Sequence, residues 1–115
     1  MATENDFRNL ALALPETEEK SHFGKADFRV RNKIYGGFTA LGHAYVKLDA
    51  EQQELACASE AKCVRPIPGG WGKKGWTEID HAIADQTLLK SLLQMAWTNV
   101  APKSLVKSRI QKGRG

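Results

Sequence analysis

Basic and aromatic side chains occur together in two short segments of this 115-residue chain. One segment runs from His22 to Phe38, and the other runs from Pro68 to Trp76. Ammonium and guanidinium groups bind phosphate oxygens, and aromatic rings stack on bases, so both segments indicate contact with nucleic acid. The residues predicted to make that contact are Lys25, Arg29, Arg31, Lys33, Trp71, Lys73 and Lys74.

The two halves of the chain differ in charge, which supports the same prediction. Residues 1–60 hold seven Lys or Arg and ten Asp or Glu, which gives a net charge of −3. Residues 61–115 hold ten Lys or Arg and three Asp or Glu, which gives a net charge of +7. No acidic residue follows Asp85. A basic end of this kind attracts nucleic acid or an acidic protein, although a solvated tail that aids solubility has the same composition.

Residue patterns typical of catalysis are absent from the sequence. Ser21 and His22 are neighbours, but successive residues of a strand point to opposite faces. The glycines of residues 69–75 lack the Gly-x-x-x-x-Gly-Lys-Ser/Thr pattern of a phosphate-binding loop. The histidines and cysteines do not have the spacing of metal ligands. We therefore expect a non-enzymatic protein with no catalytic residue, metal or cofactor.

Hydropathy and cysteine content predict where the protein is found. No apolar run approaches the 18 residues of a membrane span, and the polar N-terminus does not resemble a secretory signal. These features predict a cytoplasmic protein, with Cys57 and Cys63 as free thiols. We expect one domain over residues 1–115, a basic tail from about residue 103, and a monomer rather than an oligomer.

Three helices are predicted from their N-terminal caps. Thr3 with Asp6, and Asp49 with Gln52, have the spacing of capping boxes. Asp85 is expected to cap the longest helix, whose leucines recur at helical spacing. The predicted helices end near Pro15, near Ser59 and before Pro102, and Ser104–Gln111 is expected to form a last short helical segment.

Strands are predicted where apolar and polar residues alternate. The acidic residues 16–19 are instead expected to be a solvated loop, and residues 68–75 a flexible loop rich in glycine. The predicted strands are residues 27–31, Ile34–Thr39, 43–48, Lys62–Arg65 and Trp76–Ile79.

The resulting order, α-β-β-β-α-β-β-α, predicts an α+β sandwich of two layers, in which helices cover one face of a five-stranded antiparallel sheet. The open face is expected to carry Arg29, Arg31, Tyr35, Tyr45 and Lys47. The covered face is expected to hold Phe28, Val30, Ile34 and Trp76. Trp71 either folds back over the sheet or contacts the ligand.

Several spaced motifs resemble the MmcQ/YjbR-like family of small bacterial proteins. They are Leu14-Pro15-Glu16, His22-Phe23-Gly24-Lys25, Phe28-Arg29-Val30, Lys33-Ile34-Tyr35, Gly75-Trp76 and Ala96-Trp97. The resemblance implies the fold α-β(3)-α-β(2)-α, which is related to secretion-chaperone-like folds. It also implies DNA binding, by likeness to a double-wing DNA-binding domain.

Three functions remain open from the sequence. The first is weak, mostly electrostatic binding of DNA through the basic sheet face and the loop at residues 68–75. The second is a module that binds another protein on the open sheet face. The third is a small-ligand pocket between sheet and helices near His22 and Tyr35. Charged side chains are also common on ordinary solvated sheet faces. The lysines and arginines alone therefore do not show which of these functions the protein has.

Overall fold

The computed structural model of the protein describes residues 2–22 and 24–107. Phe23 and the tail bases Arg109, Lys112 and Arg114 lie outside the described residues, as does the end of the predicted segment Ser104–Gln111. The elements in chain order are α1 (Glu4–Leu12), β1 (Thr17–His22), β2 (Lys25–Val30), β3 (Lys33–Phe38), β4 (Ala44–Lys47), α2 (Ala50–Ser59), β5 (Val64–Pro66), α3 (Gly70–Lys73), β6 (Trp76–Ile79) and α4 (Gln86–Val100).

The strands form one antiparallel sheet in the order β1-β2-β3-β4-β6-β5. The predicted α+β class is confirmed, but the sheet has six strands rather than five. The additional strand is β1, which includes residues that the sequence predicted to be a solvated loop. Charged residues suit β1 because an edge strand pairs on one side only, and charges there discourage pairing with other chains.

Helices cover one face of the sheet and enclose the core. Phe7 of α1 lies against Phe28 of β2 and Phe38 of β3, with ring centroids 5.8 and 5.4 Å apart. Trp97 of α4 is fully buried, and its indole N–H donates to the carbonyl of Pro15 at 2.9 Å. Among the described residues no comparable helix lies across the opposite face of the sheet, and the short α3 borders that face through Trp71.

The predicted helix caps are confirmed. Thr3 and Asp6 form a reciprocal capping box, as do Asp49 and Gln52. The side chain of Asp85 accepts from the backbone N–H of Leu88 at 2.8 Å. Caps of this kind each stabilise a helix by about 1 kcal/mol, so the sequence specifies where these helices begin.

A β-bulge in β3 reverses two of the predicted side-chain directions. Phe28 pairs with Gly36, and Arg29 pairs with Ile34, so Tyr35 is an extra residue between two ladder positions. An extra residue shifts the alternation by one and moves the neighbouring side chains to opposite faces. Tyr35 is therefore buried in the core, whereas Ile34 lies on the open face, and both predictions were wrong.

Candidate functional site

The open face of the sheet carries a groove of about 390 Å³, which we call the aromatic groove. It crosses three strands, β3, β4 and β6, and its lining is almost entirely apolar. The lining residues are Ile34, Thr39, Tyr45, Ile67, Trp71 and Trp76.

Strand alternation accounts for two of these side chains. In β4, Ala44 and Val46 are fully buried against the helices, so Tyr45 points to the open face. In β6, Thr77 and Ile79 are fully buried, so Trp76 points to the open face as well. The prediction that Trp76 lies in the core was therefore wrong, because the residues that alternate with it occupy the core positions.

Tyr45 forms the floor of the groove and contacts Trp76. Their ring centroids are 5.4 Å apart at an interplanar angle of 78°, an edge-to-face pair. The Tyr45 ring also lies over Gly37, where an added Cβ would stand 2.6 Å from the Tyr45 hydroxyl oxygen. Burial raises the pKa of Tyr45 to about 12, with a further increase from Asp27 that Arg29 opposes.

The segment between β5 and β6 is a helical turn held in place by hydrogen bonds and close packing, not the flexible loop that the sequence predicted. The amide of Gln53 donates to the carbonyl of Gly72 at 2.9 Å, and the backbone N–H of Ile67 donates to the carbonyl of Trp76 at 3.0 Å. Gly75 has a φ of +102° and packs so closely that any Cβ would collide with the carbonyl oxygen of Leu48. Trp71, with 61% of its surface exposed, is thus held beside the groove by an anchored backbone.

Two lysines lie against the tryptophans at one end of the groove. The Nζ atom of Lys47 is 5.3 Å from the ring centroid of Trp76, and that of Lys74 is 5.5 Å from the ring centroid of Trp71. Both distances fall within the range of cation–π contacts. Each tryptophan of the groove is therefore paired with one ammonium group.

The same lysines line a second concavity of about 490 Å³, which we call the lysine hollow. Lys33, at the start of β3, supplies a third ammonium group. Its other lining residues are Leu48, Asp49, Asn99 and Val100. Within residues 2–22 and 24–107 none of the three lysines forms an ion pair, so their charges are available to a ligand.

The two predicted arginines are engaged with carboxylates instead. Arg29 binds both carboxylate oxygens of Asp27, at 2.8 and 3.2 Å, and Asp27 is almost completely buried. Arg31 does not lie on the sheet face as predicted, because it occupies the turn after β2 with a φ of 50°. Its guanidinium binds the carboxylate of Glu16, and this hydrogen bond lowers the pKa of Glu16.

The predicted site residues therefore fall into three places. Lys33, Trp71 and Lys74 meet at the groove and the hollow, and Lys73 is exposed in α3 beside them. Lys25 and Arg29 line a hollow of about 290 Å³ that adjoins the groove at Ile34 and Tyr45, while Arg31 is paired elsewhere. The prediction of contact residues omitted Lys47 and Tyr45, although the alternation in residues 44–48 put both on the open face.

Three other features bear on the alternatives. The hydroxyl of Tyr35 contacts the Thr17 hydroxyl at 2.9 Å and donates to the Ala11 carbonyl at 3.2 Å, so this buried side chain serves the core and not a ligand pocket. Cys57 and Cys63 are free thiols, and burial raises the pKa of each. No helix in the described part of the chain is long and apolar enough to cross a membrane.

Comparisons with known proteins agree with the architecture, a helix-covered antiparallel sheet of the α+β class. A family model described as YjbR matches residues 12–99, and the chain belongs to the YjbR family. The chain is also similar to the crystal structure of the Deinococcus radiodurans protein DR2400, of the family domain DUF419. That match has a TM-score of 0.75 and 22% sequence identity, and it covers 90% of this chain and 82% of the other. None of the curated proteins matches the chain.

Proposed function

We propose that the protein binds single-stranded nucleic acid, with unpaired bases in the aromatic groove and their phosphates on the lysines at its end. One observation carries the proposal: Lys47 and Lys74 each lie about 5 Å above a tryptophan of the groove. A nucleotide presents the complementary pair of groups, an aromatic base joined to a phosphate. Stacking platforms combined with cations are the usual means of binding a single strand.

The size and lining of the groove favour unpaired bases over a duplex. Three strands contribute to the groove, so it spans two strand spacings, or about 10 Å. Sheet surfaces of other proteins hold two or three unpaired bases on their aromatic residues. The phosphate backbone of a duplex would gain little from an apolar concavity, because its contacts are polar and charged.

The arginines also argue against the duplex binding that the family resemblance implies. The duplex binding expected from the sequence would use Arg29 and Arg31, but both are paired with carboxylates of this chain. The lysines beside the tryptophans, in contrast, form no ion pair within residues 2–22 and 24–107. DNA and RNA single strands share the required chemistry, so either is a candidate ligand.

The proposal is tested by fluorescence anisotropy with an oligothymidylate, an oligouridylate and a DNA duplex of matched length. With Lys33, Lys47, Lys73 and Lys74 as contacts, we expect a slope of log affinity against log salt of about −3 for the single strands between 50 and 200 mM salt. The duplex is expected to bind more weakly. Equal or tighter binding of the duplex would contradict the proposal.

A matched pair of variants separates stacking from general charge attraction. Trp71→Ala removes the most exposed ring of the groove and is expected to lower the affinity for single strands about tenfold. Leu55→Ala removes a side chain that is 70% exposed on α2, away from the groove, and is expected to leave the affinity unchanged. An unchanged affinity in Trp71→Ala would refute the stacking contribution.

The alternative is a non-enzymatic protein-interaction module that uses the same open face. The apolar lining of the groove is the observation in its favour, since apolar side chains of a partner would fit it. This alternative predicts binding of a protein partner that is insensitive to salt. It also predicts that Lys47→Gln has little effect, which distinguishes it from the nucleic-acid proposal.

A further inference from the structure

We infer that the lysine hollow binds the terminal phosphate of the strand whose bases occupy the aromatic groove, so that the protein prefers a phosphorylated end. This inference rests on the proposed function and names the part of the ligand that the hollow takes. The two concavities are contiguous, because Lys47 and Lys74 line the hollow while lying against Trp76 and Trp71 of the groove.

Three separate elements bring the ammonium groups together. Lys33 begins β3, Lys47 ends β4, and Lys74 follows α3. The polar groups beside them are already engaged. A carboxylate oxygen of Asp49 accepts from the backbone N–H of Gln52, and the amide of Asn99 donates to the Lys47 carbonyl and to the Gln52 side chain. The lysines are therefore the groups available to an anion.

The charge of the hollow favours a phosphate monoester over a diester. Three lysines and the N-terminal end of α2, with about +0.5 of a charge, are opposed by Asp49 and by the C-terminal end of α4, with about −0.5, so the hollow has a net charge of about +2. A phosphate monoester has a charge of about −1.5 to −2 at pH 7, whereas each phosphate within a strand has a single negative charge. A terminal phosphate thus matches the hollow better than an internal one.

The walls of the hollow also suit the end of a strand. Asn99 and Val100 line it on the side of α4, the helix that covers the opposite face of the sheet. A strand that enters from the groove meets this wall after passing the two tryptophans. Its last phosphate can then lie among the lysines with no further nucleotide to accommodate.

Isothermal titration calorimetry with three short oligothymidylates tests the inference: one with a 5′-phosphate, one with a 3′-phosphate, and one with hydroxyls at both ends. We expect one phosphorylated form to bind about five- to tenfold more tightly than the hydroxyl form, because charge-assisted hydrogen bonds form with the added charge. Lys33→Gln is expected to remove most of this preference, because it lowers the affinity for the phosphorylated form more than the affinity for the hydroxyl form. Lys90→Gln, which removes an exposed lysine of α4 outside the hollow, is the charge-matched control and should retain the preference.

The outcomes separate the two proposals. Equal binding of all three oligonucleotides would overturn the inference about the terminal phosphate and leave the proposed function standing. Binding of none of them would overturn the proposed function, and the inference with it. A preference that persists in Lys33→Gln would show that the end is recognised elsewhere, and would also overturn the inference.

Discussion

The hairpin of β2 and β3 and the helical turn α3 contain the same kinds of side chain but use them differently. In the hairpin, Arg29 and Arg31 are neutralised by Asp27 and Glu16, and the aromatic rings of Phe28 and Tyr35 are buried. Around α3, the lysines have no carboxylate partner among the described residues, and Trp71 is exposed. Most of the hairpin therefore builds the fold, with Lys33 and Ile34 as its two residues at the candidate site, and the residues around α3 present groups that a ligand can bind.

The difference shows that composition alone does not identify a binding surface. Both segments are basic and aromatic, and the first is the denser of the two. The two arginines of the first segment are paired with carboxylates, one of them 15 positions away in the chain, whereas Lys25 and Lys33 form no ion pair among the described residues. A cation contributes to ligand binding only if the fold leaves its charge without a partner.

The largest expected effect concerns the anchoring of α3. Gly75→Ala places a Cβ against the Leu48 carbonyl at a φ of +102°, so we expect the free energy of unfolding to fall by about 3 kcal/mol. Gly70→Ala is the matched control, because nothing lies within 4 Å of its Cβ position. Urea denaturation measures both variants. Similar free energies of unfolding for Gly75→Ala and Gly70→Ala would show that close packing at Gly75 does not hold α3 in place.

The second prediction compares the two ion pairs of the hairpin. Asp27→Asn removes a buried carboxylate that binds Arg29, and we expect the free energy of unfolding to fall by about 2 kcal/mol. Glu16→Gln breaks the half-exposed pair with Arg31 and should leave stability unchanged, since exposed pairs contribute little. If both substitutions had the same effect in urea denaturation, the structural role assigned to Asp27 would be wrong.

The third prediction contrasts one cation from each region in ligand binding. Lys74→Gln is expected to lower the affinity for a single strand several-fold and to reduce the slope of the salt dependence by about 0.7, the share of one phosphate contact. Arg31→Gln is expected to change neither quantity, because Glu16 already neutralises this charge. Anisotropy titrations at several salt concentrations measure both. A larger loss of affinity in Arg31→Gln than in Lys74→Gln would show that the interface lies on the hairpin instead.

The smallest effect is spectroscopic and concerns the two tyrosines. Burial raises the pKa of both Tyr35 and Tyr45 to about 12, so phenolate absorbance of the folded protein should appear near pH 12 rather than pH 10. Because the unfolded state ionises first, stability present below pH 10 is expected to fall as the pH rises from 10 to 12. Tyr45→Phe should halve the absorbance change. A midpoint near pH 10 in the folded protein would contradict the burial of these rings.

Local signals in the sequence predicted much of the fold. The caps at Thr3, Asp49 and Asp85 depend on residues three positions away, and each was predicted correctly. The family resemblance and the α+β class were confirmed as well. These features depend on short-range chemistry, or on motifs that occur in order along the chain.

The features that the sequence did not predict depend on pairing between distant residues. Gly36 and Gly37 follow Tyr35, and glycine within a strand is typical of a bulge, but the register between β2 and β3 decides that Tyr35 is the extra residue. Strand β1 has a charged sequence, and it is a strand because β2 offers a free edge. Tryptophan is a residue type typical of a protein core. In β6, however, Thr77 and Ile79 occupy the buried positions, so Trp76 lies on the open face.

The three tryptophans provide the most direct test of the central claim, that unpaired bases lie in the aromatic groove. Their indole N–H resonances can be followed by ¹⁵N NMR during titration with an oligothymidylate. We predict that the resonances of Trp71 and Trp76 shift, whereas that of Trp97, buried and bonded to the Pro15 carbonyl, does not. If the resonances of Trp71 and Trp76 do not shift, and shifts are confined to backbone amides of the β2–β3 hairpin, the claim that bases lie in the aromatic groove is contradicted.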